Sequence, residues 1–151
     1  MQLIHLGGDD ADKITDFIKS GDAAFPLSLP RWTKQDWHDF FAQGSGQGLA
    51  FTLQNQLIGI LAFTHIAQQA EIMLIAARPE YRRQGIARQL LTAMIDQLSP
   101  DLDSIVLEVA ADNMAAICFY QKLKFDQIAT RPNYYKATNS DALIFKRVFI
   151  K

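Results

Sequence analysis

Cysteine is almost missing from this chain, and its single Cys118 excludes an intrachain disulfide. The three histidines, His5, His38 and His65, show neither an H-E-x-x-H spacing nor a Cys/His cluster. No metal is implied, and they read as ordinary surface or internally satisfied side chains. An excess of one charge is missing too: 15 Lys+Arg stand against 16 Asp+Glu for a net charge of -1. Without a broad basic field, nucleic acid and anionic lipid are not expected partners, and any anion site must be local. Long apolar runs are lacking, since stretches such as Leu57 to Phe63 fall far short of the roughly 20 residues that span a bilayer. Met1 to Asp9 carries no charged-then-apolar signal pattern, so a soluble cytoplasmic protein is expected. No Pro/Gly/Ser-rich linker or internal repeat divides residues 1–151, which predicts a single domain; the nearest candidate, Gly44 to Gly48, reads as a loop between elements. Two phosphate signatures are absent as well. There is no G-x-x-x-x-G-K-[ST] and no G-x-G-x-x-G with an acidic residue downstream, so nucleoside triphosphate and NAD readings both fall.

What is present is a chain of 151 residues, 49% hydrophobic, enough to build a core without staples. A short strand, Gln2 to Leu6, precedes a helix from Asp10 to Ser20 that sets Ile14, Phe17 and Ile18 on one face. Thr33-Lys34-Gln35-Asp36 resembles a capping box opening a second helix to about Phe41. Three apolar runs, Leu49 to Leu53, Leu57 to His65 and Ala70 to Ala77, read as a β-meander, with Gln54-Asn55-Gln56 as a tight connection. Ile86, Leu90, Leu91, Met94, Ile95 and Leu98 keep a 3.6-residue period until Ser99-Pro100. A strand at Ser104 to Val109, a helix from about Asn113 to Lys122, and strands near Phe125 to Arg131 and Ala142 to Phe149 complete the chain. The order βααβββαβαββ predicts an α/β (α+β) fold with a mixed central sheet. Ala70 to Ala77 and Ser104 to Val109 should run parallel, and the other neighbours antiparallel.

Between that parallel pair, Arg82-Arg83-Gln84-Gly85-Ile86-Ala87 is a strand-to-helix turn with glycine at the bend and small Ala87 in the first helical turn. Unpaired N–H groups and the positive end of a helix dipole suit a pyrophosphate, and Arg82, Arg83 and Arg88 add charge. Spacing alone leaves open a plain helix start with solvated arginines. Cys118, between Ile117 and Phe119, reads as a small buried hydrophobe rather than an acyl-carrying nucleophile.

This turn resembles the pyrophosphate loop of the GNAT acetyltransferases, [QR]-x-x-G-x-[GA] directly after the fourth strand. The resemblance takes in Ile75 to Tyr81, Leu107 to Ala116, Phe119 to Phe125 and Arg131-Pro132-Asn133-Tyr134-Tyr135, and so covers roughly residues 70 to 147. It implies an acetyl-CoA-dependent N-acetyltransferase acting on a primary amine by direct transfer. Glu108 would be the general base and Tyr120 the general acid that protonates the CoA sulfur. Arg82, Arg83, Gln84, Gly85, Ile86, Ala87 and Arg88 would cradle the pyrophosphate. The backbone of Ile75, Ala76 and Ala77 would pair with the pantetheine amides, and Asn113 would touch the pantetheine or pyrophosphate arm, cap its helix, or do both. Residue type alone favours a solvated strand carboxylate for Glu108 and a core aromatic with its hydroxyl at the surface for Tyr120. Tyr134 and Tyr135 would line the acceptor's approach or simply pack across the sheet.

Asn133-Tyr134-Tyr135 makes the chain most similar to the family's ribosomal-protein alanine N-terminal acetyltransferases. That similarity implies a protein N-terminus as acceptor partner. A small amine, or a non-catalytic acyl-CoA sensor, is the alternative. Two departures stand out. Leu29-Pro30-Arg31-Trp32-Thr33 replaces a His-Pro-Trp-Ser-like stretch, and Lys124 stands where glycine normally precedes the phenylalanine, which should alter a turn.

Overall fold

The apolar runs do pair as a meander. In the computed structural model, which describes residues 1–20, 32–135 and 140–150 (Tyr135 by its backbone only), β1 (Gln2–Leu6), β2 (Gly46–Leu53), β3 (Gln56–Ile66) and β4 (Gln69–Ala77) are successive antiparallel neighbours. Gln54 and Asn55, both with positive φ, make the two-residue turn whose twist matches the β2–β3 hairpin. The expected loop at Gly44 to Gly48 is corrected in its second half, because Gly46 and Gly48 belong to β2 opposite Thr64 and Ala62. The reason is tertiary. A Cβ at residue 46 would lie 2.0 Å from the Phe40 carbonyl oxygen, so these glycines serve close packing and not a turn.

β5 (Ser104–Ala110) joins β4 in parallel, and β7 (Ser140–Val148) lies between β5 and β6 (Asp126–Tyr135), giving the order β1-β2-β3-β4-β5-β7-β6. Helices cover both faces. α1 (Ala11–Ser20) buries Ala11, Ile14, Phe17 and Ile18, and α2 (Lys34–Ala42) buries Trp37 and Phe40; both pack with Ala50, Ile60, Leu74 and Ala76. The Thr33 capping box forms: Asp36 N–H donates to Thr33 Oγ1 at 3.2 Å, and Thr33 N–H donates to the Asp36 carboxylate at 2.8 Å. Leu29 to Arg31 lie outside the described residues. On the other face, α3 (Ile86–Leu98) and α4 (Met114–Lys122) bury Leu90, Leu91, Met94, Ile117 and Tyr120 against Phe63, Ile72, Leu107 and Phe145.

Two irregularities position the site. Ala62 faces Leu74 while Phe63 faces Ile72, so Met73 is an extra residue in β4. This bulge moves the inward side chains of β4 from one face to the other: Ala70 and Ile72 pack with α3, Leu74 and Ala76 with α1 and α2. Second, β4 and β5 pair only over Gln69 to Ile72 with Ser104 to Leu107. Beyond that point the strands part, and the rest of β4 presents an edge that no described strand covers.

α4 ends in a Schellman motif. Phe125 N–H donates to the Tyr120 carbonyl at 3.0 Å and Lys124 N–H to that of Gln121 at 3.1 Å, with Lys124 at φ 72. The turn is therefore not altered by the missing glycine, because lysine takes up glycine's left-handed conformation.

Candidate functional site

A cleft of about 880 Å³ opens where β4 and β5 part, lined by Met73 to Ala77 on one wall and by Leu107, Glu108 and Val109 on the other. At one end it meets the start of α3. Arg83 (φ 62) and Gly85 (φ 80) both turn left-handed there, which bends the backbone sharply into the helix. Gly85 is the N-cap and offers no side chain, so no side-chain cap closes this helix start. Arg82, Arg83, Gly85, Ile86, Ala87 and Arg88 line the cleft. Three arginines thus stand beside a helix N-terminus, a local concentration of positive charge in a chain of near-neutral composition. Gln84, expected to bind with them, does not line the cleft: its amide donates to the Glu80 carbonyl at 3.1 Å and so braces the loop from behind.

Glu108 and Tyr120 reach the same cleft from consecutive elements. Strand alternation turns Glu108 away from Ile105, Leu107 and Val109, which are buried, and leaves its side chain 23% exposed beside Arg131 at 3.0 Å. Tyr120 is 6% exposed, edge-on to Phe119 and Phe125 with ring centroids at 5.2 Å and 5.5 Å. Burial pushes its hydroxyl far above the usual tyrosine range, so it holds its proton throughout the neutral and mildly alkaline range. Asn113 lines the cleft and also caps α4, accepting from Ala116 N–H at 3.2 Å.

Tyr134 lines the mouth of the cleft at 48% exposure, on strand β6, with the Arg131 guanidinium over its ring at 5.3 Å. The side chain of Tyr135 lies outside the described residues. Cys118 is exposed, a correction to its expected burial. Ile117 and Tyr120 define the inward stripe of α4, and residue 118 is rotated about 100° away from Ile117. Among the described residues no group of three or more His, Cys, Asp or Glu could hold a metal, and no helix is long and apolar enough to cross a membrane.

Residues 15–125 match the model of the Acetyltransferase (GNAT) family. The chain belongs to this family. It is 39% identical over 110 residues, 69% of its own length and 74% of the relative's, to the [Ribosomal protein bS18]-alanine N-acetyltransferase of Escherichia coli (strain K12). It is 31% identical over 156 residues, covering 92% of this chain and 87% of the other, to an N-alpha-acetyltransferase of Saccharolobus solfataricus. The crystal structure of the ribosomal-protein-S18-alanine N-acetyltransferase from Escherichia coli superposes with a TM-score of 0.86 at 26% identity, over 99% of this chain and 94% of that one. The protein is thus an N-acetyltransferase with the family's mixed sheet. Trp32 and Glu71 also line the cleft, although residue type and spacing did not single them out as site residues. Trp32 lies against Trp37 at 4.5 Å between ring centroids, and Glu71 lines the cleft from β4. Glu71 carried no motif, and Trp32 stood only in the stretch that departs from the family's His-Pro-Trp-Ser-like entry; it is tied to the site through the aromatic cluster of α2.

Proposed function

We propose that this acetyltransferase moves the acetyl group of acetyl-CoA directly onto the N-terminal α-amine of a protein, working as a single cytoplasmic domain. The observation that carries the proposal is the parting of β4 and β5, which sets Glu108, Tyr120 and the arginine-flanked start of α3 around one cleft. The cradle suits CoA. The N–H groups of the first turn of α3, with Arg82, Arg83 and Arg88, take the pyrophosphate, and the uncovered edge at Ile75, Ala76 and Ala77 takes the pantetheine amides as an added strand would. Bound acetyl-CoA supplies an activated thioester carbonyl. Glu108 accepts a proton from the amine, directly or through water, as the new C–N bond forms. Tyr120, kept protonated by burial, gives its proton to the departing sulfur as the C–S bond breaks. An N–H on the β4 edge supports the negative charge developing on the thioester oxygen.

The acceptor follows from the free-amine requirement. An α-amine is on the order of a tenth neutral at pH 7, whereas a lysine amine is under roughly one part in a thousand, a handicap of about 3 to 4 kcal/mol. One carboxylate, already paired with Arg131, suits the α-amine. The relatives named as alanine and N-alpha acetyltransferases support the same acceptor class, and Tyr134, which lines the cleft, would meet the peptide's first residues. Steady-state kinetics of Tyr120→Phe test the chemistry. Turnover should fall by roughly 10²-fold with acetyl-CoA affinity unchanged by calorimetry, and wild-type turnover would remove Tyr120 from the mechanism.

A further inference from the structure

We propose that Arg131 is a positioning residue for the general base, holding the Glu108 carboxylate by an ion pair across the sheet at the point where β4 and β5 part. The proposal rests on the assignment of Glu108 as base. Arg131 Nη1 lies 3.0 Å from Glu108 Oε1, and no other partner of that carboxylate occurs among the described residues. Register explains how the guanidinium gets there. Arg131 on β6 pairs with Ala142 on β7, and Ala142 pairs with Ala110 on β5. Directly paired residues share a face, so Arg131 stands on the same side as Ala110 and, two residues earlier, Glu108. Alanine at 142, on the one strand that lies between, and at 110 beside Glu108 leaves the side chain a path over β7.

Arg131 is itself restrained. Its guanidinium sits over the Tyr134 ring at 5.3 Å while it pairs with Glu108, a combination that suits a planar, forked guanidinium better than a compact ammonium. The strand is irregular between Arg131 and Tyr135, where Asn133 turns left-handed (φ 53) and donates its N–H to the Asp141 carboxylate at 2.8 Å. Ser140 donates its hydroxyl to Asp112 at 3.0 Å, and Ala111 N–H donates to the Asp141 carbonyl at 2.9 Å. The end of the β6–β7 hairpin is thus bound to the turn that leads from Glu108 to Asn113, and the anchor is fixed relative to the base it holds. Untethered, a glutamate with three free torsions at an open cleft would spend much of its time turned toward solvent.

Kinetics of R131M, R131Q, R131K, E108Q and the double variant E108Q/R131M, with a melting temperature for each, test the proposal. R131M and R131Q should each lower kcat by about 10- to 30-fold, less than the roughly 10²-fold of a full 1 Å misplacement because the carboxylate still visits the productive position. The acetyl-CoA KM should stay within about two-fold and the melting temperature should not move, because the loss is one of placement and not of binding or folding. R131K should recover part of kcat. On an E108Q background R131M should cost nothing further, since a residue acting through Glu108 has nothing left to position. Wild-type kcat in R131M, R131K no better than R131M, or losses that multiply in the double variant would each overturn the proposal. Wild-type turnover in E108Q would instead overturn the assignment of the base, so the two failures are distinguishable.

Discussion

Gly59→Ala should damage stability and cofactor binding together. Gly59 lies in β3 opposite Ala77, directly beneath the first turn of α3. A Cβ there would fall 2.4 Å from Ile86 Cγ2 and 3.4 Å from Leu90 Cδ1. Carbon atoms pack at about 3.5–4.0 Å, so more than an ångström must be found by lifting the helix start or twisting Ile86, which is 5% exposed. Overpacking of this kind costs about 1–3 kcal/mol. Removing a strand glycine returns only about 0.5–1 kcal/mol of chain entropy, so the clash wins. At about 2–4 °C per kcal/mol for a chain of this size, the melting temperature should drop by several degrees. Because Ile86 follows the Gly85 N-cap, the same displacement shifts the N–H groups proposed to take the phosphates, and on that proposal acetyl-CoA affinity should fall too. Ile86→Leu removes the offending branch methyl, so Gly59→Ala/Ile86→Leu should recover part of both losses. Urea unfolding at constant slope and calorimetric titration with acetyl-CoA measure the two effects. A Gly59→Ala variant as stable as wild type, or a double variant with merely additive losses, would refute the reasoning.

Gly85→Glu should abolish acetyl-CoA binding by calorimetry, since it puts a side chain at φ 80 and a negative charge beside phosphate. Lys124→Gly should stabilise the protein by about 0.5–1 kcal/mol by relieving the left-handed lysine of the Schellman motif, read as a higher urea midpoint at unchanged slope.

Elements governed by local rules were legible in the sequence. The period from Ile86 to Leu98, the Thr33–Asp36 box and the three apolar runs each specify their structure within a few residues, and each element formed within a few residues of its expected bounds. Features decided by partners distant in sequence were not. Gly46 and Gly48 read as loop because the carbonyl of Phe40 that demands their smallness is a tertiary neighbour. The Met73 bulge appears only in the pairing with β3. Cys118 was misplaced because its apolar neighbours suggested burial, whereas the helical stripe runs through Ile117 and Tyr120. For the site, the glycine bend and its flanking arginines could be read from the turn but not what they bind, while the proposed roles of Glu108 and Tyr120 come from the family pattern. Arg131 beside Glu108 required the register of three strands.

The central claim is tested most directly by a paired acetylation assay with acetyl-CoA. One short peptide carries a free N-terminal alanine and no lysine; the other has a blocked N-terminus and one internal lysine. The neutral-amine fractions predict a preference for the α-amine peptide on the order of 10²-fold at pH 7, shrinking about ten-fold at pH 9 as lysine begins to deprotonate. Tyr120 keeps its proton across that range, so the α-amine rate itself should not fall between the two pH values. Faster acetylation of the lysine peptide at pH 7 would contradict the account.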